Sequence, residues 1–582
     1  MAELHDIPRI LVVLLAGLMS GMPRDGAAQA PAGAVIPPQG TRASEMAPPP
    51  VQPRVGPGTP RGPAPAVSQD PALARTVTIT SVVIEGATAF PAARIEREIG
   101  PLTGTIPLQR VDEARVAILA LYRNAGYVFT VVDAVVERGG RLRLTVGEAE
   151  IVEVRLDGDI GPAGTQVLRF LGNLRGVRPI DIATLERWLL LVEDIPGVSM
   201  RAVLRPAGTT PGALSLVAQV GRQAVTGYVG ADNRAFRLTG TQQGIAAVQF
   251  NSFTSLAERT ELQIYYANGR TSVYGQASSE FFVGSRGARV RIHAGIGETT
   301  PSAPLRDIGY RGTTAVAGIS ASYPLIRRRQ QSLTVSAAFD IIDTEVKLED
   351  SPLGDQVLSR DELRVLRVGG EWAVFDQLLG DGRAAVNVAS LRLHQGIPGL
   401  GASASGSPAL SRAGAQTDFT KVTFELSRTQ ALFSPWTGAT VSLLGVLAGQ
   451  WSNDILPQAE KFYIGGARLG RGYYAGEVTG DSALVATAEI QLSMPFETSA
   501  FGRSVRMDPM VYAFYDWGRT RENAPLERDR SVSSAGLGTR FNVTRNAEFQ
   551  FEGVRRFERR PGGDAADRLK ADAFYWRVLF RY

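Results

Sequence analysis

From Gly221 to Tyr582 the chain carries no helical period. Short runs of alternating apolar and polar residues are separated by turns rich in Gly, Asp and Ser, the pattern of antiparallel strands with two unlike faces. Leu262, Ile264 and Tyr266 alternate with Glu261, Gln263 and Tyr265, and Val290, Ile292 and Ala294 with Arg289, Arg291 and His293. Ala486, Ala488, Ile490 and Leu492 alternate with Thr487, Glu489 and Gln491. One apolar and one charged face describe a soluble sandwich, and equally a barrel with lipid outside and a wet bore. The end of the chain favours the barrel. Phe574, Trp576, Val578, Phe580 and Tyr582 form an apolar stripe, with Arg577 and Arg581 on the other face. An aromatic edge strand left open recruits other chains, and closing the sheet removes the edge.

Composition excludes more than it selects. A mean hydropathy of −0.02 suits a soluble protein and a membrane barrel alike. With no Cys, disulfides, thiolate catalysis and Cys-ligated metals are ruled out. His5, His293 and His394 stand far apart, so no His-rich metal site, and no metal or cofactor, is expected. There is neither a Gly-x-Ser-x-Gly elbow nor a Walker-type phosphate loop, so the chain does not read as an enzyme. A net charge of +5 with no basic stripe does not point to nucleic acid.

The N-terminal part reads as targeting followed by a spacer. Residues 10–22 (ILVVLLAGLMSGM) follow Arg9 and precede the small residues around Ala28 and Ala30. This is the layout of a signal peptide over 1–30, and the apolar run is shorter than the ~20 residues a spanning helix needs. A cut after Ala28 keeps Pro31 away from the cleavage bond. Residues 31–75 are rich in proline and poor in apolar side chains, which suits a tether.

Two similar units follow, at 76–149 and 150–221. In the first, 77–86 reads as a strand, 92–99 as a short helix, and Val111, Ala114, Ile118, Leu121 and Ala125 as the apolar face of a longer helix stopped by Gly126. Strands are expected at 127–136 and 141–146, joined by Gly139-Gly140. The order strand, helix, helix, strand, strand repeats with 151–156, 163–171, a helix carrying Ile182, Leu185, Leu189 and Val192, then 199–205 and 213–220.

These repeats resemble POTRA domains, and GYVFTVVDAVV (126–136) resembles that family's helix-to-strand junction. The stretch KFYIGGARLGRGYYAGEVTGD (461–481) resembles the central loop of the outer-membrane assembly and two-partner-secretion transporter superfamily. Its Arg-Gly-aromatic triplet is Arg471-Gly472-Tyr473, with Gly470 where the family commonly has Val. Phe514-Tyr515-Asp516-Trp517-Gly518 resembles the family's strand with an inward aspartate. Gly230-Ala231-Asp232-Asn233, Ser322-Tyr323-Pro324-Leu325 and Ser534-Ala535-Gly536-Leu537-Gly538 resemble further strand segments, so the resemblance spans about 76–582.

The resemblance implies α+β POTRA domains followed by a transmembrane antiparallel β-barrel over 222–582. At ~10 residues per spanning strand plus connections, its length accommodates about sixteen strands. Two repeats before a barrel resemble the hemolysin and filamentous-hemagglutinin type of secretion transporter, which exports one large β-rich exoprotein; an outer-membrane protein insertase is the alternative. The implied place is the outer membrane, with the POTRA domains in the periplasm. The implied partners are the secreted exoprotein, outer-membrane lipid, and the barrel-assembly machinery and periplasmic chaperones during biogenesis. Phe580 and Tyr582 would form the terminal signal read at assembly. The family's N-terminal plug helix is not expected here, because the proline-rich stretch begins directly after the signal.

Strand alternation adds a specific expectation. It puts Tyr512, Phe514 and Asp516 on the inner face and Val511, Ala513, Tyr515 and Trp517 on the outer. A lumenal carboxylate is partly desolvated, and a guanidinium on a loop folded into the bore would pair with it through both nitrogens. Arg471 is expected to lock the loop to Asp516 in this way, with Gly472 allowing a close turn at the loop tip.

Overall fold

The alternating region folds into a closed antiparallel barrel. The structure, a computed structural model, describes residues 55–58, 65–68 and 70–582, apart from 302–304, 350–353, 381, 501–502, 545 and 564–567. The expected signal peptide and most of the tether lie outside the described residues.

The first small unit contains β1 (Thr76–Ile79), β2 (Ser81–Glu85), α1 (Ala92–Ile99), β3 (Gly104–Pro107), α2 (Leu108–Asn124), β4 (Val131–Val136) and β5 (Arg141–Gly147). Helix α2 turns Val111, Ala114, Ile118 and Tyr122 inward onto Leu142, Leu144 and Val146. It stops at Gly126, whose φ of 96° favours glycine.

Two expectations need correction here. The run 77–86 is two strands: Thr80 donates its N–H to the Gly140 carbonyl at 2.8 Å and its hydroxyl to Gly139 at 3.0 Å, and the chain changes sheets there. Strand β1 pairs with β3, which sequence reading missed, and β2 runs parallel to β5. The strand expected from 127 begins only at Val131. Residues 127–130 turn instead, so that Tyr127 packs in this unit's core and Phe129 in the next.

The second unit repeats the order with β6 (Glu150–Asp157), α3 (Ala163–Gly172), α4 (Ile182–Glu193), β7 (Val198–Pro206) and β8 (Ala213–Arg222). Its core extends into the barrel rim, where Phe170 meets Phe282 edge-to-face at 5.3 Å. Arg327 grips Asp194 with both nitrogens, at 2.9 and 2.7 Å. Gln166 and Arg187 donate to rim carbonyls at Gly284 and Pro324.

The barrel strands are β9 (Val225–Asp232), β10 (Gln243–Asn251), β11 (Arg259–Ala267), β12 (Ser272–Val283), β13 (Ala288–Thr299), β14 (Tyr310–Arg327), β15 (Gln331–Leu348) and β16 (Gln356–Asp376). They continue as β17 (Ala385–Gly396), β18 (Thr420–Phe433) and β19 (Thr440–Ser452). After a long connection holding the short hairpin β20 (Phe462–Ile464) and β21 (Val478–Gly480) come β22 (Ser482–Ser493), β23 (Phe496–Ala500), β24 (Arg503–Arg521), β25 (Arg530–Val543), β26 (Ala547–Arg556) and β27 (Asp572–Arg581). Strands β22 and β23 both pair with β24 and act as one stave interrupted at Met494 and Pro495, so the wall has sixteen staves. The last strand closes the ring on β9, with Phe580 opposite Val229. Tyr582 extends the seam by exchanging backbone hydrogen bonds with Gly227.

Side chains follow the alternation. Leu262, Ile264 and Ile296 point outward, while Tyr265 and Tyr274 are buried inside. Among the described residues no helix is long and apolar enough to cross a membrane; the strands supply an apolar outer wall instead. Connections at the rim beside the second small unit are short, such as 284–287 and 328–330. Those at the far rim include 397–419 and 453–481.

Candidate functional site

The connection 453–481 folds back into the bore. Gly465 and Gly466, with φ of 114° and 104°, and Gly470 at 74° supply the left-handed turns that bring it round. The hairpin of β20 and β21 stiffens its base.

At its tip the guanidinium of Arg471 meets Asp516 on β24 through two contacts, at 3.1 and 3.0 Å, and the Arg471 backbone N–H donates to the same carboxylate at 2.8 Å. Asp516 is fully buried and Arg471 only 6% exposed. Sequence reading did not connect Arg471 with its other partners. Its remaining nitrogen reaches Glu489 on β22, and Glu552 on β26 lies 3.9 Å away. Glu552 also pairs with Arg234, just beyond β9, and accepts from the Tyr512 hydroxyl at 2.8 Å. Glu489 was already on the inner face of its alternating run, but only strand register sets it opposite Phe514, within reach of the Arg471 guanidinium.

The rest of the triplet is gripped as firmly. The Gly472 carbonyl accepts from Arg556 at 2.5 Å and from the Tyr575 hydroxyl at 3.0 Å. The buried Tyr473 hydroxyl lies within hydrogen-bond distance of the Ser533 and Glu558 carbonyls, at 2.9 and 2.8 Å. The reason for glycine at 472 differs from the expected tight turn. Its φ is not left-handed; a Cβ there would run into the Ser534 side chain and lie 3.3 Å from Val554.

A second anchor was not visible in the sequence. Glu460, nearly fully buried at the base of the loop, pairs with Arg367 on β16 and Lys421 on β18, each at 2.7 Å. Burial would raise its carboxyl pKa, but those two cations hold it well below the usual carboxylate range. His394 lies beside Arg367 and 3.0 Å from the Thr423 hydroxyl, and His293 lies 3.7 Å from Asp340. Among the described residues no cluster of three or more metal-ligating side chains forms. The residues expected to form the terminal signal, Phe580 and Tyr582, lie far from this loop, at the barrel seam, where Phe580 stacks edge-to-face on Phe549.

A wall of sixteen staves, two small α+β units at one rim and a charge-anchored inward loop can be compared with known proteins. The model of the haemolysin secretion/activation protein ShlB/FhaC/HecB matches residues 213–541, more than half of the chain, and the ShlB-type POTRA model matches 77–149. The chain belongs to the ShlB/FhaC/HecB family.

This ShlB-family protein is 21% identical over 438 residues to the heme/hemopexin transporter protein HuxB of Haemophilus influenzae (strain 86-028NP), covering 73% of each chain. Its fold matches CdiB from Escherichia coli with a TM-score of 0.69 at 18% identity, over 90% of this chain and 94% of that one. CdiB from Acinetobacter baumannii matches with a TM-score of 0.60 at 15% identity, over 99% and 97% of the two chains. At these identities the structural likeness speaks for the fold alone. ShlB-family members are outer-membrane two-partner secretion transporters, in which POTRA domains and a barrel serve the export of a secreted exoprotein.

Proposed function

We propose that this ShlB-family transporter exports one large β-rich exoprotein from the periplasm to the cell surface through the space that loop 453–481 fills, and that Arg471 holds the loop in place. The observation that carries this is the buried ion pair between Arg471 and Asp516. When the loop leaves, each charge regains water, and that rehydration offsets much of the attraction lost with the pair.

In this reading 1–30 is removed on export and 31–75 tethers the POTRA units, 76–149 and 150–221, in the periplasm. An extended segment of the exoprotein adds to a POTRA sheet edge by β-augmentation, the loop moves, and folding outside biases the passage outward. No covalent step is involved, so no catalytic residue, cofactor or metal is invoked. Lipid surrounds the outer wall, and barrel-assembly machinery and periplasmic chaperones act during biogenesis, with Phe580 and Tyr582 as the terminal signal.

The test is to sequence the adjacent genes for a large secreted β-rich protein and to co-produce Arg471→Ala with that cognate exoprotein. The variant is expected to insert as a barrel and to secrete poorly; normal secretion would refute the loop's role. Accelerated insertion of unrelated barrels by the purified protein would point to an insertase instead.

A further inference from the structure

A second charged cluster lies further out than the Arg471 site, joining three connections of the far rim. Arg412, on connection 397–419, is only 6% exposed. Its guanidinium reaches Asp481 at 2.6 and 3.1 Å, Glu522 at 3.1 Å and Glu527 at 2.8 Å, and donates to the Leu456 carbonyl at 2.5 Å. Asp481 ends connection 453–481, while Glu522 and Glu527 lie on 522–529. Lys461, at the base of the inward loop, adds contacts of 2.8 Å to Glu522 and 2.9 Å to Glu527. Asp481 also accepts the backbone N–H groups of Leu456 and Asn523, at 2.9 and 2.8 Å. Connection 397–419 is itself held to β16, where Ser411 donates to Asp361 at 2.8 Å.

We propose that Arg412 latches the far mouth of the barrel, forming a closure separate from the Arg471–Asp516 pair deeper in the bore.

Three features support a latch over a merely stiff loop. Its charges come from three different connections, so the cluster exists only while all three are together. Glu522 follows the end of β24, about 20 Å along that strand from Asp516 at ~3.3 Å per residue, so the two closures lie at different depths. The cluster is ionic, and charges released toward the cell surface are rehydrated, which offsets much of the loss on opening. By contrast, the second POTRA unit meets the near rim partly through a shared apolar core, which has no such compensation.

The proposal rests on the reading of the bore as a conduit. The full chain, as Arg471→Ala, Arg412→Ala and the double variant, is reconstituted in planar bilayers in potassium chloride, and cells producing each are challenged with vancomycin. The double variant is expected to conduct more than Arg471→Ala alone and to sensitise cells further. A double variant indistinguishable from Arg471→Ala overturns the latch while leaving the conduit standing. Wild-type conductance from both Arg471→Ala and the double variant brings down the conduit reading, and the latch with it.

If Arg412→Ala does not assemble, Glu527→Gln, which keeps the pair between Arg412 and Asp481, takes its place in the same comparison, and the natural absence of cysteine adds a crosslinking test. Arg412→Cys with Glu527→Cys, in the Arg471→Ala background, is bridged with a bifunctional methanethiosulfonate. Conductance should fall on bridging and return with dithiothreitol; no change on bridging overturns the proposal.

Discussion

The guanidinium carbon of Arg471 lies 3.7 Å from the centre of the Phe514 ring, two residues before the Asp516 that its nitrogens grip. The cation is thus desolvated on one face by a ring and neutralised along its edge by carboxylates. Removing one member of such a buried set strands the others, at a cost of about 3–5 kcal/mol. Arg471→Ala should free the loop by roughly that amount, read as faster hydrogen exchange across 462–480 in an otherwise intact barrel. Arg471→Lys keeps the charge but neither the fork nor the flat face, so it should restore only part of the protection.

Gly472 faces the wall with no room for a side chain. Gly472→Ala should therefore weaken loop docking by about 1–3 kcal/mol, the usual range for overpacking. Because the obstacle is the Ser534 side chain, Ser534→Gly in the same chain should recover most of the loss. Hydrogen exchange of the loop in single and double variants checks this, and an absence of rescue would mean that the contact is not the cause.

At the near rim, Asp194 is the acceptor for both Arg327 contacts. Asp194→Ala leaves a guanidinium only 7% exposed without its carboxylate, and should loosen the second small unit by about 3 kcal/mol. Faster exchange in α4 with unchanged exchange in α2 would fit this; unchanged α4 would show that the apolar contacts suffice.

Glu148 ties the first POTRA unit together. It accepts from the Thr88 and Ala89 N–H groups at 2.7 and 2.8 Å and from the Tyr122 hydroxyl at 2.7 Å. Burial opposes its ionisation, but these donors outweigh it and lower its pKa below the ordinary 4.5. A depressed folded-state pKa gives stability that is present above about 4.5 and lost as pH falls through the folded value. In the full chain, exchange at 88–89 should therefore accelerate on acidification below about pH 4.5. Glu148→Gln should be less stable at neutral pH by about 1.5–3 kcal/mol, the range for hydrogen bonds to a charged group, and should lose the acid dependence.

What could be read in the residues is what neighbouring residues decide among themselves. Alternation of apolar and charged side chains two apart assigned the inner and outer faces of β11, β13, β22 and β24, because successive side chains of a strand point opposite ways whatever the strand pairs with. Helical spacing from Val111 to Ala125 located α2 for the same reason. The Arg471–Asp516 contact was an expectation from resemblance and charge, and the two residues do meet.

Partners far apart in the chain were another matter. Glu552 lies 318 residues from Arg234, Arg412 69 from Asp481, and Glu460 93 from Arg367. Strand register and the path of the inward loop bring these charges together, and no local pattern encodes either. The break at Thr80 is of the same kind, since its N–H is claimed by a carbonyl of another turn. Side-chain direction is set residue by residue along the backbone, whereas the choice of which buried cation neutralises which carboxylate is made only when the sheet closes and water is shut out.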